Sequence, residues 1–214
     1  METDRRRWKL SERNGLAITV DLSQFQVTDY DPGRSLLVRT AWFLLGMPLL
    51  RSSILPFSSS RRMLLRVFGA TIGAGVVIKP GVRVKYPWKL KVGQYCWLGE
   101  DAWIDNIAPV TIGDNVCISQ GAYLCTGNHS WSDPTFRLIA LPISIENGAW
   151  IAARASVAPG VIIGQSAVVG FGSVATRNIP PYEIHTGNPA RFVRYREIQD
   201  EKEGHPVARA ANGR

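Results

Sequence analysis

From Ile72 onward the chain places an aliphatic residue at every sixth position. The series opens with Ile72, Ile78 and Val84, skips two residues (Leu90 and Lys91), and resumes as Val92, Leu98 and Ile104. It skips Val110 and Thr111 and continues as Ile112, Ile118 and Leu124. After a longer interruption it runs Ile145, Ile151, Val157, Ile163 and Val169. Four residues beyond a ladder position the residue is usually small: Val76, Cys96, Ala102, Ala108, Val116, Ala122, Ala149, Ala155, Ala167 and Ser173. Directly after the ladder residue, Gly73, Gly93, Gly113 and Gly164 begin four blocks, with Glu146 in that place in a fifth.

A period of six suits neither an α-helix nor a long flat strand. It suits a coil with flat sides, in which three hexapeptides make an 18-residue turn. Stacked turns would pair as parallel strands about 4.8 Å apart. The ladder residue then points inward, and the small residue lets the corner turn tightly. All three interruptions follow complete blocks, so they leave the coil at one corner. A β-sandwich would show alternation, but neither the repeated small residue nor the six-residue spacing. The pattern predicts an all-β chain: a parallel β-helix of about five 18-residue rungs over residues 71–180, with a loop at 130–144.

Residues 1–70 read as a basic leader and residues 181–214 as a C-terminal segment, polar from about Gln199. In the leader, Asp29, Asp31, Pro32 and Gly33 predict a loop. Helical spacing from Ser35 to Leu45 predicts a helix that Pro48 ends. Arg61 to Phe68 predicts a second helix, with Ser60 as N-cap and Gly69 just past its end. The stretch from Leu36 to Leu50, broken by Arg39, Gly46 and Pro48, is too short to span a bilayer. Its leucines, edged with arginine, suit a cap over the open end of the coil. A weak peripheral membrane contact through residues 35–66 is the alternative reading of the same segment, and the cap is the one expected.

Composition adds little to the fold and more to the chemistry. Lys and Arg number 25 against 17 Asp and Glu, a net charge of +8, which points to a polyanionic partner such as a phosphate-bearing cofactor. No Walker A, no GxGxxG after a strand and no nucleic-acid motif is present, so no nucleic acid is expected. Three cysteines (Cys96, Cys117, Cys125), none in a CxxC, argue against a disulfide scaffold and for a reducing, cytoplasmic setting. Only three histidines exist: His129, His185 and His205. Their placement is poor for a three-histidine zinc site, and no metal is expected. His129 ends the third rung at the corner where insertions collect. It is either a corner histidine that hydrogen-bonds the turn or a general base.

Three stretches carry a family resemblance: Val116 to Trp131 (VCISQGAYLCTGNHSW), Ser132 to Pro142 (SDPTFRLIALP) and Gly187 to Arg194 (GNPARFVR). From about Asp21 to Arg194 the chain resembles the hexapeptide-repeat acyltransferases, whose parallel β-helix is left-handed against the usual rule for crossovers. The branch it most resembles makes colanic acid biosynthesis acetyltransferases, related to maltose and galactoside acetyltransferases. The resemblance implies an acetyl-CoA-dependent O-acetyltransferase acting on a sugar hydroxyl in exopolysaccharide or surface-glycan synthesis, and a homotrimer. It implies that His129 is the catalytic base. Asp133 would orient the His129 ring or stand as an exposed loop aspartate. Asp105, Asn106 and Trp131 would meet the acceptor, with Asn106 alternatively forming a turn. The donor would lie along Trp150, Ala153, Phe171, Gly172, Thr176 and Arg177, with Arg177, Arg191 and Arg194 meeting the CoA phosphates. Phe171 stands where the family often has a small residue. Two rival functions are acetylation of an antibiotic or other small foreign molecule, and a catalytically silent β-helix scaffold.

Overall fold

Every ladder residue is buried, none more than 6% exposed, and the small residues named above are buried with them. The computed structural model in which this holds describes residues 12–13, 16–17, 19–27 and 30–199. Asp29, the basic start at Arg5, Arg6 and Arg7, and His205 lie outside the described residues. The chain divides into two compact units: one of residues 31–127 with 140 onward, the other of residues up to 30 with 128–139.

The first unit is the coil, a parallel β-solenoid of five complete turns with a sixth begun. Its first face stacks Thr71–Ile72, Leu90–Val92, Val110–Ile112, Ile143–Ile145 and Ile162–Ile163. Its second face stacks Val77–Ile78, Trp97–Leu98, Cys117–Ile118, Trp150–Ile151 and Val168–Val169, followed by Glu183–Gly187 and the antiparallel Ala190–Tyr195. Its third face stacks Arg83–Val84, Trp103–Asp105, Tyr123–Cys125, Ser156–Val157 and Val174–Ala175. Register is kept from turn to turn. Ile72 pairs with Val92, Val92 with Ile112, Ile112 with Ile145, and Ile145 with Ile163, which bridges Ile179 in the sixth turn.

The two-residue skips do not bulge outward. They lengthen the first face, where Leu90, Val110 and Ile143 stack on one another in register and are buried. The glycines after the ladder residues are required by close stacking. A Cβ on Gly73 would collide with the carbonyl oxygen of Gly93, and one on Gly164 would lie 2.5 Å from the Pro181 nitrogen.

From residue 31 the leader belongs to the same unit. Residues 36–51 form one continuous helix: α-helical at Leu36–Ala41, π-helical at Trp42–Gly46, and α-helical again at Met47–Arg51. Pro48 therefore does not end this helix. The widened π turn precedes it, and proline needs no donated hydrogen so near the start of the last segment. The second helix runs Ser58–Val67, with Phe57 rather than Ser60 at the N-cap position. Its first serine is used elsewhere: Ser58 Oγ accepts from Ile78 N (3.1 Å) and donates to Ile78 O (3.2 Å). Gly69 follows the helix with φ +94° and donates to Arg66 O, as a C-terminal glycine does.

The leader seals the coil. Trp42, Leu50 and Leu65 are fully buried in the same core as Ile72 and Ile78. The unpaired backbone of the first turn meets side-chain donors. Trp42 Nε1 bonds Val84 O at 3.0 Å, Arg62 Nη1 bonds Val76 O at 2.6 Å, and Arg66 Nη2 bonds Ile72 O at 2.6 Å. Arg61, only 1% exposed, holds Ser52 O at 3.0 Å and Leu50 O and Ile78 O at 3.4 Å. Replacing it would leave buried carbonyls unpaired and strip the packing of its stem. Arg61→Ala is expected to cost about 2–4 kcal/mol, a fall of roughly 5–10 °C in melting temperature for a chain this size. Arg51→Ala, at an exposed position, should stay within about 0.5 kcal/mol. Calorimetry of both variants checks this, and equal melting temperatures would refute the capping role.

Candidate active site

The chain leaves the coil after Thr126 and returns at Leu141, whose N–H donates to Thr126 O at 2.9 Å. Between these points residues 128–139 belong to the second unit, together with the described residues up to 30. There Gly127–His129 and Leu138–Ala140 form a two-stranded sheet. The turn between them is held by Ser130 N donating to Arg137 O (2.9 Å) and Phe136 N to Asp133 O (2.9 Å). A second tie runs from Asp21 N to Pro134 O (2.9 Å).

His129 sits half-buried in this loop. Its Nδ1 lies 2.8 Å from the carbonyl oxygen of Phe136. A carbonyl only accepts, so Nδ1 carries the hydrogen and Nε2 presents a lone pair. Among the described residues no hydrogen-bond partner engages Nε2. The ring is also fixed in plane: Phe136 stacks on it at 4.3 Å and 8°, and Phe25 approaches at 5.7 Å, tilted by 59°.

Asp133 does not orient the ring. Its Oδ1 accepts from Thr135 N (2.9 Å) and Thr135 Oγ1 (2.8 Å), and Arg137 lies 3.6 Å from Oδ2. These bonds, those from Thr135 foremost, hold its carboxyl below the usual carboxylate range. Its part is to shape the turn that presents the Phe136 carbonyl. Phe136 itself, with φ +52°, was not singled out from the sequence. A backbone carbonyl has no residue signature, and the one available hint was an aromatic in the right loop. Trp131 in the same loop is 83% exposed.

In the coil, Asp105 and Asn106 close the third face. Asn106 is fully buried: its Oδ1 accepts from Tyr86 N (2.9 Å) and its Nδ2 donates to Tyr86 O (2.7 Å). It is a corner asparagine spent on the backbone, which withdraws it from the acceptor role. Asp105 pairs with Lys85 at 3.1 Å and accepts from the Tyr123 hydroxyl at 3.2 Å. Burial pushes the Tyr123 phenol well above its usual range, with Cys125 and Asp105 adding to the effect. The Cys125 thiol donates to Gly127 O at 3.1 Å.

The residues assigned to the donor gather toward the C-terminal end of the coil. Ala153 and Gly172 meet at the corner between the second and third faces, where Gly172 N donates to Ala153 O at 3.0 Å. A Cβ on Gly172 would meet nothing within 4 Å, so a thin chain has room beside it. Phe171 stands out at 72% exposure, and Thr176 and Arg177 are exposed just beyond. Arg191 and Arg194 lie exposed on the last strand, opposite Thr186 and Ile184, and Gly187 N ties that hairpin to Ser173 Oγ at 2.9 Å. Trp150 stands apart from this corner, on the second face, with its Nε1 on Ser119 Oγ at 2.9 Å. There it lines a groove of about 550 Å³ with Trp97, Cys117 and Gln120. Arg196, missed in the sequence, closes that groove and donates to Gly148 O (2.9 Å) and Ser166 O (3.2 Å). The run Arg191, Arg194, Arg196 carried the signal. Among the described residues no cluster of three metal-ligating side chains occurs.

Two family models match the coil: bacterial transferase hexapeptide (six repeats) over residues 142–177, and hexapeptide repeat of succinyl-transferase over residues 89–125. WcaF of Escherichia coli (strain K12), which carries the name of a colanic acid biosynthesis acetyltransferase, is 39% identical over 176 residues, 82% of this chain and 97% of its own length. The galactoside O-acetyltransferase of the same organism is 32% identical over 143 residues, 65% of this chain and 70% of that protein. A solved galactoside acetyltransferase in complex with coenzyme A superposes with a TM-score of 0.69 at 26% identity, over 87% of this chain and 92% of that one. With a stacked hexapeptide coil, an extruded histidine loop and a relative matched over nearly its whole length, the chain belongs to the hexapeptide-repeat acetyltransferases.

Proposed function

We propose that this chain transfers acetyl from acetyl-CoA to a hydroxyl of a sugar or glycan precursor, in the synthesis of an exopolysaccharide or other surface glycan. Acetyl transfer itself follows from family membership. The general base rests on one observation: His129, with Nδ1 on the Phe136 carbonyl, offers Nε2; oxygen as the acceptor atom is supported by the relative named as a galactoside O-acetyltransferase. An alcohol must lose its proton as it attacks, and a neutral imidazole is suited to take it. The relatives named for galactoside acetylation and colanic acid synthesis support a sugar as the acceptor.

In this reading the acceptor O–H gives its proton to His129 Nε2 while its oxygen attacks the thioester carbonyl carbon. The tetrahedral intermediate collapses with cleavage of the carbon–sulfur bond. The departing CoA sulfur takes the proton back from Nε2, and the imidazole is restored. No acyl-enzyme forms. Cys125, whose thiol is turned to Gly127 O, is not required. Loss of the base predicts that His129→Ala lowers kcat by roughly 10²–10⁴-fold with acetyl-CoA affinity little changed. Steady-state kinetics beside calorimetric CoA binding separates this from a binding role, which would cost affinity equally.

Asp133 supports the loop through Thr135. An asparagine keeps an oxygen that can accept those two bonds. Asp133→Asn is therefore expected to lower kcat by less than about tenfold, against the order of 10⁴ seen where a carboxylate orients a catalytic histidine directly. A loss of that larger size would put the carboxylate on the ring.

For the donor, the small residues Ala153 and Gly172 suit the approach of a pantetheine arm, and Arg177, Arg191 and Arg194 suit the phosphates. Gly172 and the three arginines are exposed and Ala153 is half-buried, and a neighbouring subunit in a homotrimer would complete the groove. A cytoplasmic setting supplies acetyl-CoA. Arg191→Ala and Arg194→Ala are expected to weaken acetyl-CoA binding, with the difference from wild type shrinking as salt rises, in a species whose light-scattering mass is three chains. A fully active monomer, or unchanged affinity in both variants, would overturn this arrangement.

A further inference from the structure

A helix that is apolar all the way round needs apolar surroundings on both sides. Residues 36–51 approach this case, with Arg39, Thr40 and Arg51 their only polar side chains. Trp42, Gly46 and Leu50 face the coil and are buried, while Leu37 and Leu44 on the other side are 80% and 69% exposed. Leu45, Ile54, Phe57 and Met63 are likewise more than 60% exposed. One exposed leucine is ordinary; six large apolar side chains within 27 consecutive residues of one leader mark a surface with a missing occupant.

The segment that forms this surface carries charge of one sign. Residues 32–99 contain eleven Lys and Arg and no Asp or Glu. Lys79 pairs with Glu100 and Lys85 with Asp105. Among the described residues, no ion pair engages Arg34, Arg39, Arg51, Arg61, Arg62 or Arg66. Arg61, Arg62 and Arg66 bond to neutral carbonyls rather than to carboxylates. Two copies meeting on this face would set these arginines against each other, so its field opposes self-association. An anionic bilayer answers both features at once: its phosphates meet the exposed arginines, Arg34, Arg51 and Arg66, and the boundary between headgroups and acyl chains takes the outer leucines. No helix among the described residues is long and apolar enough to cross a membrane. The contact is therefore peripheral.

We propose that the outer face of the leader docks the protein on anionic phospholipid membranes, while its inner face caps the coil. The test is co-sedimentation of the full chain with vesicles of phosphatidylcholine alone or with about one third phosphatidylglycerol, in low and in physiological salt. Binding is expected to the anionic vesicles only, weaker at higher salt. The double variant Leu37→Gln/Leu44→Gln should keep its melting temperature, because both positions are exposed, and lose at least roughly tenfold in vesicle affinity, from the apolar area no longer inserted. Arg51→Gln should weaken binding and flatten its salt dependence. The proposal is overturned if the intact protein stays in the supernatant with anionic vesicles at low salt, or if the leucine variant binds as well as wild type. It is also overturned if light scattering without lipid shows an association that the leucine variant abolishes, for the face would then join protein to protein. None of these readouts depends on acetyl transfer, so failure here leaves the enzymatic reading standing.

Discussion

Neighbouring turns of the coil hydrogen-bond to one another residue by residue, from Gly73 N to Val92 O, Gly93 N to Ile112 O and Gly113 N to Ile145 O. Equivalent positions therefore lie one above the next at the spacing of paired strands. A side chain that suits one turn must also suit those above and below it. This is why the interior columns are aliphatic or small, and why Gly73 and Gly93 touch backbone to backbone. It also restricts where the chain can lengthen. One extra residue on a face would turn every later ladder side chain outward. Two-residue additions extend the first face in register, and the one long insertion returns to the point it left, with Leu141 bonded to Thr126. The functional loop sits where the stacking rule permits departure.

The same rule creates an edge at each end of the stack. At the first turn the edge is closed by side chains. Arg61, Arg62, Arg66 and Trp42 donate to carbonyls, while the Arg51 carbonyl accepts from Gly81 N and Ser58 Oγ from Ile78 N. Arginine is suited to this because it donates along several directions and never accepts. At the last turn the edge is covered by an antiparallel hairpin, Glu183–Gly187 with Ala190–Tyr195. The arginines that seal the first edge also load that end of the molecule with positive charge. A requirement of backbone pairing thus becomes a property of the surface.

Features with a side-chain signature could be read before the structure was known: the aliphatic ladder, the small residues, the corner glycines, the cap and the histidine loop. Features set by the backbone could not. In equivalent corners, Gly75, Gly148, Tyr95, Asn115, Ser166 and Tyr182 all take positive φ, as do Gly81, Gly121, Gly172, Asp101 and Arg154. The stacking imposes that conformation on whatever residue is present, so glycine appears in only some turns. Pro48 was read as a stop because an ordinary α-helix would stop there. The π turn at Trp42–Gly46 requires Gly46, since a Cβ there would collide with the Trp42 indole. Asn106 offered two readings, and burial decided for the turn.

The choice of a carbonyl over a carboxylate at His129 has a consequence for the loop. A carboxylate partner can be removed by one substitution, but the Phe136 carbonyl survives any change of the Phe136 side chain. What a substitution can alter is where that carbonyl points. Its direction depends on the positive φ of Phe136, on the Asp133–Thr135 bonds, on the Ser130–Arg137 bond and on the tie from Asp21 to Pro134. Each is modest alone, a net contribution of about 1 kcal/mol for a hydrogen bond, but together they leave one geometry for the turn. The tautomer that frees Nε2 is thus a property of the folded loop as a whole. Its weak points are the residues that shape the turn, more than any single partner of the imidazole ring.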